Sequence, residues 1–151
     1  MQTTSITRLR RADRERWGEL WTGYLTFYGV SLPPATTETT WARILTEGGE
    51  ILGLGARLGG PDGPLAGFVH YLYHRNTWTP GEVCYLEDLY VDPAARGLGR
   101  GRRLIEAVAA AAQEHGCFRL YWLTQESNTT ARRLYDRVAI STGFIRYDYP
   151  L

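Results

Sequence analysis

Residues 96 to 101 read Arg-Gly-Leu-Gly-Arg-Gly, just after a run ending Val91-Asp92-Pro93. Just after them, Leu104, Ile105, Val108, Ala109 and Ala112 recur at helical spacing. Glycine lets backbone N–H groups approach a ligand closely, and a helix N-terminus carries about half a positive charge. A strand, a glycine-rich basic turn and a helix in that order make an anion cradle, best suited to phosphate. The dinucleotide fingerprint needs a third glycine at 102, where Arg102 stands, and the Walker pattern needs a lysine, which this chain lacks altogether. The pattern present is R-x-x-G-x-G. An arginine–glycine surface turn touching RNA is the alternative, but such segments are usually disordered rather than set between a strand and a helix. Upstream, Glu87 and Asp88 are neighbours in the strand. Without a bulge they point to opposite faces of the sheet.

These residues need a scaffold, and the rest of the chain predicts one. Ser5 to Arg10 reads as a first strand. Asp13 offers an N-cap for a helix that carries Trp17, Trp21, Tyr24 and Tyr28 on one face. That stripe can be core, and part of it can wall an acceptor pocket, since aromatic rings also bind amines by cation–π contact. A second helix is expected from a threonine cap at Thr37 to Thr39 through Trp41, Ile44 and Leu45, stopped by Gly48-Gly49. Strands follow at Glu50 to Leu58 and Leu65 to His74, joined by a glycine–proline turn. Next comes the strand ending at Val91, broken by Asp92-Pro93, and then the helix after the loop. Phe118 to Thr124 reads as a strand, Asn128 to Ala139 as a helix and Gly143 to Tyr149 as a final strand.

At 151 residues the chain is expected to form one domain, residues 1–151, that buries about two thirds of its unfolded surface. An apolar content of 44% with 13% aromatic residues excludes a disordered chain. A net charge of +1 with no run of one sign argues against nucleic acid or an anionic membrane as partner. No apolar run is long enough to span a bilayer. Cys84 and Cys117 form no metal motif and read as two reduced thiols of a cytoplasmic protein. His70 and His74 fall on one strand face about 13 Å apart, too far to share a metal, so no metal is expected. His115, beside Gly116, suits a helix C-terminus.

Arg96 to Gly101 resembles the acetyl-CoA pyrophosphate loop of the GNAT N-acetyltransferase superfamily. Tyr121 to Asn128, followed by Ala131, Arg132, Leu134, Tyr135 and Gly143-Phe144, is similar to that family's fifth strand and the helix after it. Together with the early aromatic residues, Trp78 and Leu86-Glu87-Asp88-Leu89-Tyr90-Val91, the pattern looks most like the small yeast Hpa-type histone/polyamine acetyltransferases and the polyamine and thialysine acetyltransferases. The residues between Tyr135 and Gly143 depart from the shorter common form, so a different helix end or turn is expected there. The resemblance implies an α/β GNAT fold in the order β-α-α-β-β-β-α-β-α-β, with a mixed sheet of about six to seven strands and about four helices.

It also implies roles. Glu87 would be the base that takes the amine proton through water, and Asp88 would meet a cationic substrate, although the sequence leaves open which does which. Either carboxylate can instead be a solvated strand residue. Tyr135 would meet the leaving sulfur, or is a core tyrosine. Acetyl-CoA would be held by Leu89, Tyr90, Val91, Arg96, Gly97, Leu98, Gly99, Arg100, Gly101, Arg102, Asn128, Arg132 and Tyr135. The acceptor would lie against Trp21, Tyr24, Tyr28 and Asp88. The carbonyl oxygen would meet a backbone N–H near Leu89 or Tyr90, where the family often has a bulge and splays its strands. The expected activity is acetyl transfer to a small cationic primary amine, a polyamine or lysine-like compound. A protein lysine acetyltransferase and a non-catalytic CoA-binding sensor are the alternatives. A homodimer is implied by the family alone.

Overall fold

The computed structural model describes residues 3–151. The chain runs through β1 (Thr4–Arg8), α1 (Arg14–Phe27), α2 (Pro34–Leu45), β2 (Leu52–Leu58), β3 (Leu65–Arg75), β4 (Glu82–Val91), α3 (Arg100–His115), β5 (Leu120–Tyr121) and α4 (Thr129–Val138). The five strands form one sheet in sequence order. The first four are antiparallel and β5 runs parallel to β4. A parallel neighbour needs a crossover, and α3 supplies it.

Each face of the sheet has its own core. Leu104, Ile105, Val108 and Ala112 of α3 pack on Val69, Tyr71, Cys84 and Leu86. On the other face Trp17, Leu20 and Trp21 of α1 and Trp41 and Ile44 of α2 pack on Leu65 and Phe68. Helical spacing on one side and strand alternation on the other bring these residues together. Gly23 sets how closely α1 meets β4. A Cβ there would lie 2.5 Å from the Tyr90 hydroxyl.

Several local expectations fail for identifiable reasons. Asp13 sits at the N-cap of α1 but its side chain does not cap. It is buried and takes both Nη atoms of Arg57, at 2.9 and 2.6 Å, together with the Arg10 N–H at 2.7 Å. Burial alone would raise this carboxyl, but the Arg57 hydrogen bond, the Arg10 N–H and the Arg57 charge outweigh it and hold it below the ordinary value of 3.8. The second helix begins three residues before the threonines, because Pro33-Pro34 starts it. A proline loses nothing at the first helical position, where its missing N–H has no partner anyway. Thr39 lies inside the helix, its hydroxyl donating to the Ala35 carbonyl at 3.0 Å.

The sheet has five strands rather than about six or seven, and two differences explain this. Instead of Phe118 to Thr124, β5 keeps two residues, paired with Cys84 and Tyr85. The chain then leaves β4 to build α4. Gly143 to Tyr149 forms no strand, since a strand needs a neighbour and no described residue pairs with it. Phe144 and Ile145 stand 84% and 75% exposed. The last helix stops at Val138, and the residues after it take no regular form.

Candidate active site

The site turns on an irregularity in β4. His70 of β3 faces Asp88, but the next residue, Tyr71, faces Leu86, so Glu87 is an extra residue in the ladder. A β-bulge of this kind reverses the alternation of side chains beyond it. The packing shows the reversal. Cys84 and Leu86 share the α3 core with Leu89 and Val91, while Tyr90 joins the aromatic core under α1. Glu87 and Asp88 therefore lie on one face, the α1 face. The expectation of opposite faces held only for a regular strand, and the bulge lies two residues earlier than Leu89-Tyr90.

The two carboxylates differ in setting. Glu87 is exposed. Desolvation by the surrounding cleft, followed by the Asp88 charge, pushes its carboxyl above the ordinary range. Asp88 is more enclosed, its side chain 13% exposed, and Oδ2 lies 2.9 Å from His70 Nδ1.

Tyrosines close the cleft. Tyr24 of α1 lies beside Asp88; burial first, and then the Asp88 charge and hydrogen bond, raise its phenol far above the usual range. Tyr28, one turn on, stacks at a tilt on Tyr24 with centroids 5.0 Å apart. Its phenol is raised by burial, opposed by a hydrogen bond to Asn128 and reinforced by Asp88. Tyr135 of α4 packs edge-on against Trp122, and burial followed by the neighbouring Tyr28 pushes it up to about 12. Tyr24 and Tyr28 thus gather with the two carboxylates, and Tyr135 lies next to Tyr28. Trp21 does not reach them. It is buried in the core between Trp17 and Tyr24, with centroids at 5.7 and 5.3 Å, which corrects its expected place on the acceptor wall. Its outer edge lines a different cleft of about 390 Å³ between α1 and α2 that excludes Glu87, Asp88 and Tyr135.

The glycine loop forms between β4 and α3 where the sequence places it, with a division among its arginines. Gly97 and Gly99 have φ of +87° and +73°, left-handed values that favour glycine. Among the described residues, no backbone carbonyl accepts from the N–H groups of Gly97 through Arg102. These donors stand at the N-terminus of a 16-residue helix, where an anion would satisfy them and the dipole would favour it. They fit a pyrophosphate. Arg100 is 3% exposed and turns inward to the Ala95 carbonyl at 2.8 Å, so it braces the loop. Arg96 likewise donates to the Val91 carbonyl and lies over the Tyr90 ring. Arg102 pairs with Glu106 at the surface. Leu98 is exposed between the two glycines.

The free edge of β4 lies between this loop and the carboxylates. Since β5 pairs only as far as Tyr85, the β4 edge at Leu89, Tyr90 and Val91 has no strand beside it. Asn128 caps α4, accepting from Ala131 N at 3.4 Å, and Arg132 donates to the Glu126 carbonyl at 2.9 Å. His74 meets the Tyr121 hydroxyl at 2.7 Å, and His115 bonds Glu82 at 2.9 Å while stacking on Tyr73. Among the described residues, no group of three or more His, Cys, Asp or Glu could hold a metal ion. Sequence reasoning missed the part His70 plays, because it treated the residue only as a possible metal ligand. No local signal marks a histidine that will meet a residue 18 positions away.

Comparison with known proteins agrees with this arrangement. The chain is 39% identical over 135 residues to the D-amino-acid N-acetyltransferase HPA3 of Saccharomyces cerevisiae, covering 89% of this chain and 83% of that one. It is 40% identical over 78 residues to the thialysine N-epsilon-acetyltransferase of Bos taurus, a match spanning 51% of this chain and under half (45%) of that relative. The fold superposes on a probable acetyltransferase with a TM-score of 0.84 at 21% identity, covering 97% of each chain. It superposes on AAC(6')-Iy, solved with a CoA bisubstrate analogue, at 0.82 and 20% identity, covering 99% of each. A family model described as Acetyltransferase (GNAT) family matches residues 6–139. With its bulged fourth strand, glycine loop and paired carboxylates, the chain belongs to the GNAT family of N-acetyltransferases.

Proposed function

We propose that this enzyme moves the acetyl group of acetyl-CoA to a small cationic primary amine, a polyamine or lysine-like compound. The observation that carries the reading is the bulge that sets Glu87 and Asp88 on one face beside Tyr24 and Tyr28. Two carboxylates attract an ammonium group, and aromatic walls tolerate its charge. With a pKa near 10.4, only about 0.04% of such an amine is neutral at pH 7, so a proton acceptor is needed. Glu87, exposed and raised, takes that proton through water, and Asp88 holds the cation. The neutral nitrogen then attacks the thioester carbonyl, whose oxygen meets the unpaired edge of β4 near Leu89 and Tyr90. The C–S bond breaks as the nitrogen gives its second proton to water, and the sulfur leaves as a thiolate toward the Tyr135 hydroxyl. A phenol at about 12 stays protonated through the neutral range and is a hydrogen-bond donor there. Full transfer to a thiolate of pKa near 8.5 would be uphill by about 5 kcal/mol, so Tyr135 acts by hydrogen bonding. The N–H groups of Gly97 to Arg102 hold the pyrophosphate, and Asn128 bonds the pantetheine arm.

The yeast relative, matched over most of the chain, supports a second acceptor class, α-amino acids. CoA thiol release with a panel of diamines, lysine analogues, D- and L-amino acids and lysine peptides separates these readings. Turnover led by diamines and lysine analogues is expected. Turnover confined to neutral or acidic acceptors would overturn the role given to the carboxylates. The working form we infer is one catalytic domain in a homodimer, located in the cytoplasm with Cys84 and Cys117 reduced. The exposed apolar tail from Phe144 to Leu151 supports the dimer, since a second copy would cover it. Light scattering on the full chain that gives the monomer mass would remove that inference.

A further inference from the structure

Behind the two carboxylates runs a buried polar chain that the acetyl transfer just described does not use. The Trp17 indole N–H donates to His70 Nε2 at 3.0 Å, and His70 Nδ1 lies 2.9 Å from Asp88 Oδ2. Trp17 is 0% exposed and His70 1%, so water cannot replace either partner. Phe68 stacks on the imidazole at 4.6 Å and Trp21 packs on it at 5.4 Å, which fixes the plane of the ring. An indole nitrogen has a donor and no acceptor. His70 Nε2 must therefore present its lone pair to Trp17, and the ring proton sits on Nδ1, a tautomer assigned from the partners. A second ring proton would set N–H against N–H in a dry core. The groups that face this ring are Asp88, with Glu87 and the Tyr24 phenol just beyond it.

We propose that His70, locked in one tautomer by Trp17, is a positioning residue that holds Asp88 as a fixed anion for the acceptor ammonium and leaves proton removal to Glu87. The inference rests on the reading that this cleft takes a cationic amine. A histidine that can only donate toward Asp88 clamps Oδ2 and, with the Tyr24 phenol as the carboxylate's other partner, leaves its remaining lone pairs for the substrate. It also gives Asp88 no onward path for a proton, because the far nitrogen already faces a donor. Glu87, exposed on the same face, has solvent as its path. The bulge makes the arrangement possible, since a regular strand with Leu86 opposite Tyr71 would set Glu87, not Asp88, opposite His70.

Two measurements test it. In ¹⁵N-histidine-labelled enzyme at pH 7, correlation spectra of His70 should show a protonated Nδ1 and an unprotonated Nε2. The opposite tautomer, or an imidazolium, would overturn the lock whatever the acceptor is. For kinetics, His70→Leu fills the space without the donor, and His70→Asn restores an N–H near Nδ1. Leu should raise the acceptor KM about tenfold or more, with acetyl-CoA affinity unchanged by calorimetry. Asn should recover most of that loss. Equal KM for Leu, Asn and the parent would sink the positioning role. Asp88→Asn run alongside separates the two claims. If it changes the acceptor KM while His70→Leu does not, the positioning inference fails and the cleft reading stands. If Asp88→Asn itself leaves the acceptor KM unchanged, the cleft reading fails. Should His70→Leu not fold, the tautomer spectra still decide the lock.

Discussion

The glycine cradle follows the C-terminal end of β4 and the carboxylate cleft lies within that strand, yet the two are built by opposite means. The cradle is made of backbone. Its donors are the N–H groups of consecutive residues, and its side chains mostly turn away, Arg100 to Ala95 and Arg96 to Val91. The cleft is made of side chains, with Tyr24 from α1 and Tyr28 at its C-cap, Glu87 and Asp88 from β4 and Tyr135 from α4 nearby. A backbone site needs only a conformation, so a short motif suffices to encode it. A side-chain site needs faces to match across the sheet, and here one extra residue in β4 decides the match.

If that contrast is right, damage to the cleft should fall on turnover or on the acceptor KM, and damage to the cradle on acetyl-CoA affinity. The largest effect expected is for Glu87→Gln, which removes the base. Turnover should fall about a hundredfold to ten-thousandfold. The wild-type rate should climb as pH passes upward through the raised Glu87 value, because the base works only when ionised. A pH–rate profile of Glu87→Gln should lack that climb. An unchanged profile would move the base elsewhere. Tyr135→Phe keeps the ring and loses one donor, so kcat should drop roughly tenfold to a thousandfold. Acetyl-CoA affinity in that variant should stay within about twofold. Parent-like kcat would make Tyr135 a packing residue.

The cradle should respond in the other way. Gly99 sits at φ +73°, so Gly99→Asp strains the backbone by about 1–2 kcal/mol and sets a carboxylate beside the phosphate. Acetyl-CoA affinity by calorimetry should weaken about thirtyfold to a hundredfold, while kcat at saturation changes little. Normal affinity in the folded variant would break the comparison at its backbone end.

The smallest effect on catalysis is expected for the Asp13–Arg57 pair, which touches neither region. Asp13→Ala leaves a buried guanidinium unpaired and should cost about 3–5 kcal/mol of stability. Since the folded Asp13 carboxyl lies below its ordinary value of 3.8, the pair contributes fully above that pH. Its contribution disappears as pH falls further, through the folded value. Acid melts of the parent and Asp13→Ala should therefore differ fully above about pH 4 and draw together as pH falls through the lowered folded value of Asp13. Parallel curves would remove the pair from the acid response.

The sequence by itself determined the order of elements up to α4 and the glycine turn between β4 and α3, because these depend on local rules. Alternation marks β3 and β4, helical spacing marks α3, and glycines at 97 and 99 mark a left-handed turn. It also named Glu87, Asp88, Tyr24, Tyr28 and Tyr135 as candidates. Tertiary structure alone decided which of them meet. The bulge is set by pairing across β3 and β4, and no residue in Tyr85 to Val91 announces it. Trp17 and Trp21 share the helical stripe with Tyr24 and Tyr28, yet the first pair is core and the second reaches the carboxylates. The length of β5, the partner of Asp13 and the bond between His70 and Asp88 are likewise long-range facts. Local backbone preference is written residue by residue. A contact between distant side chains exists only once packing has chosen the register and the face.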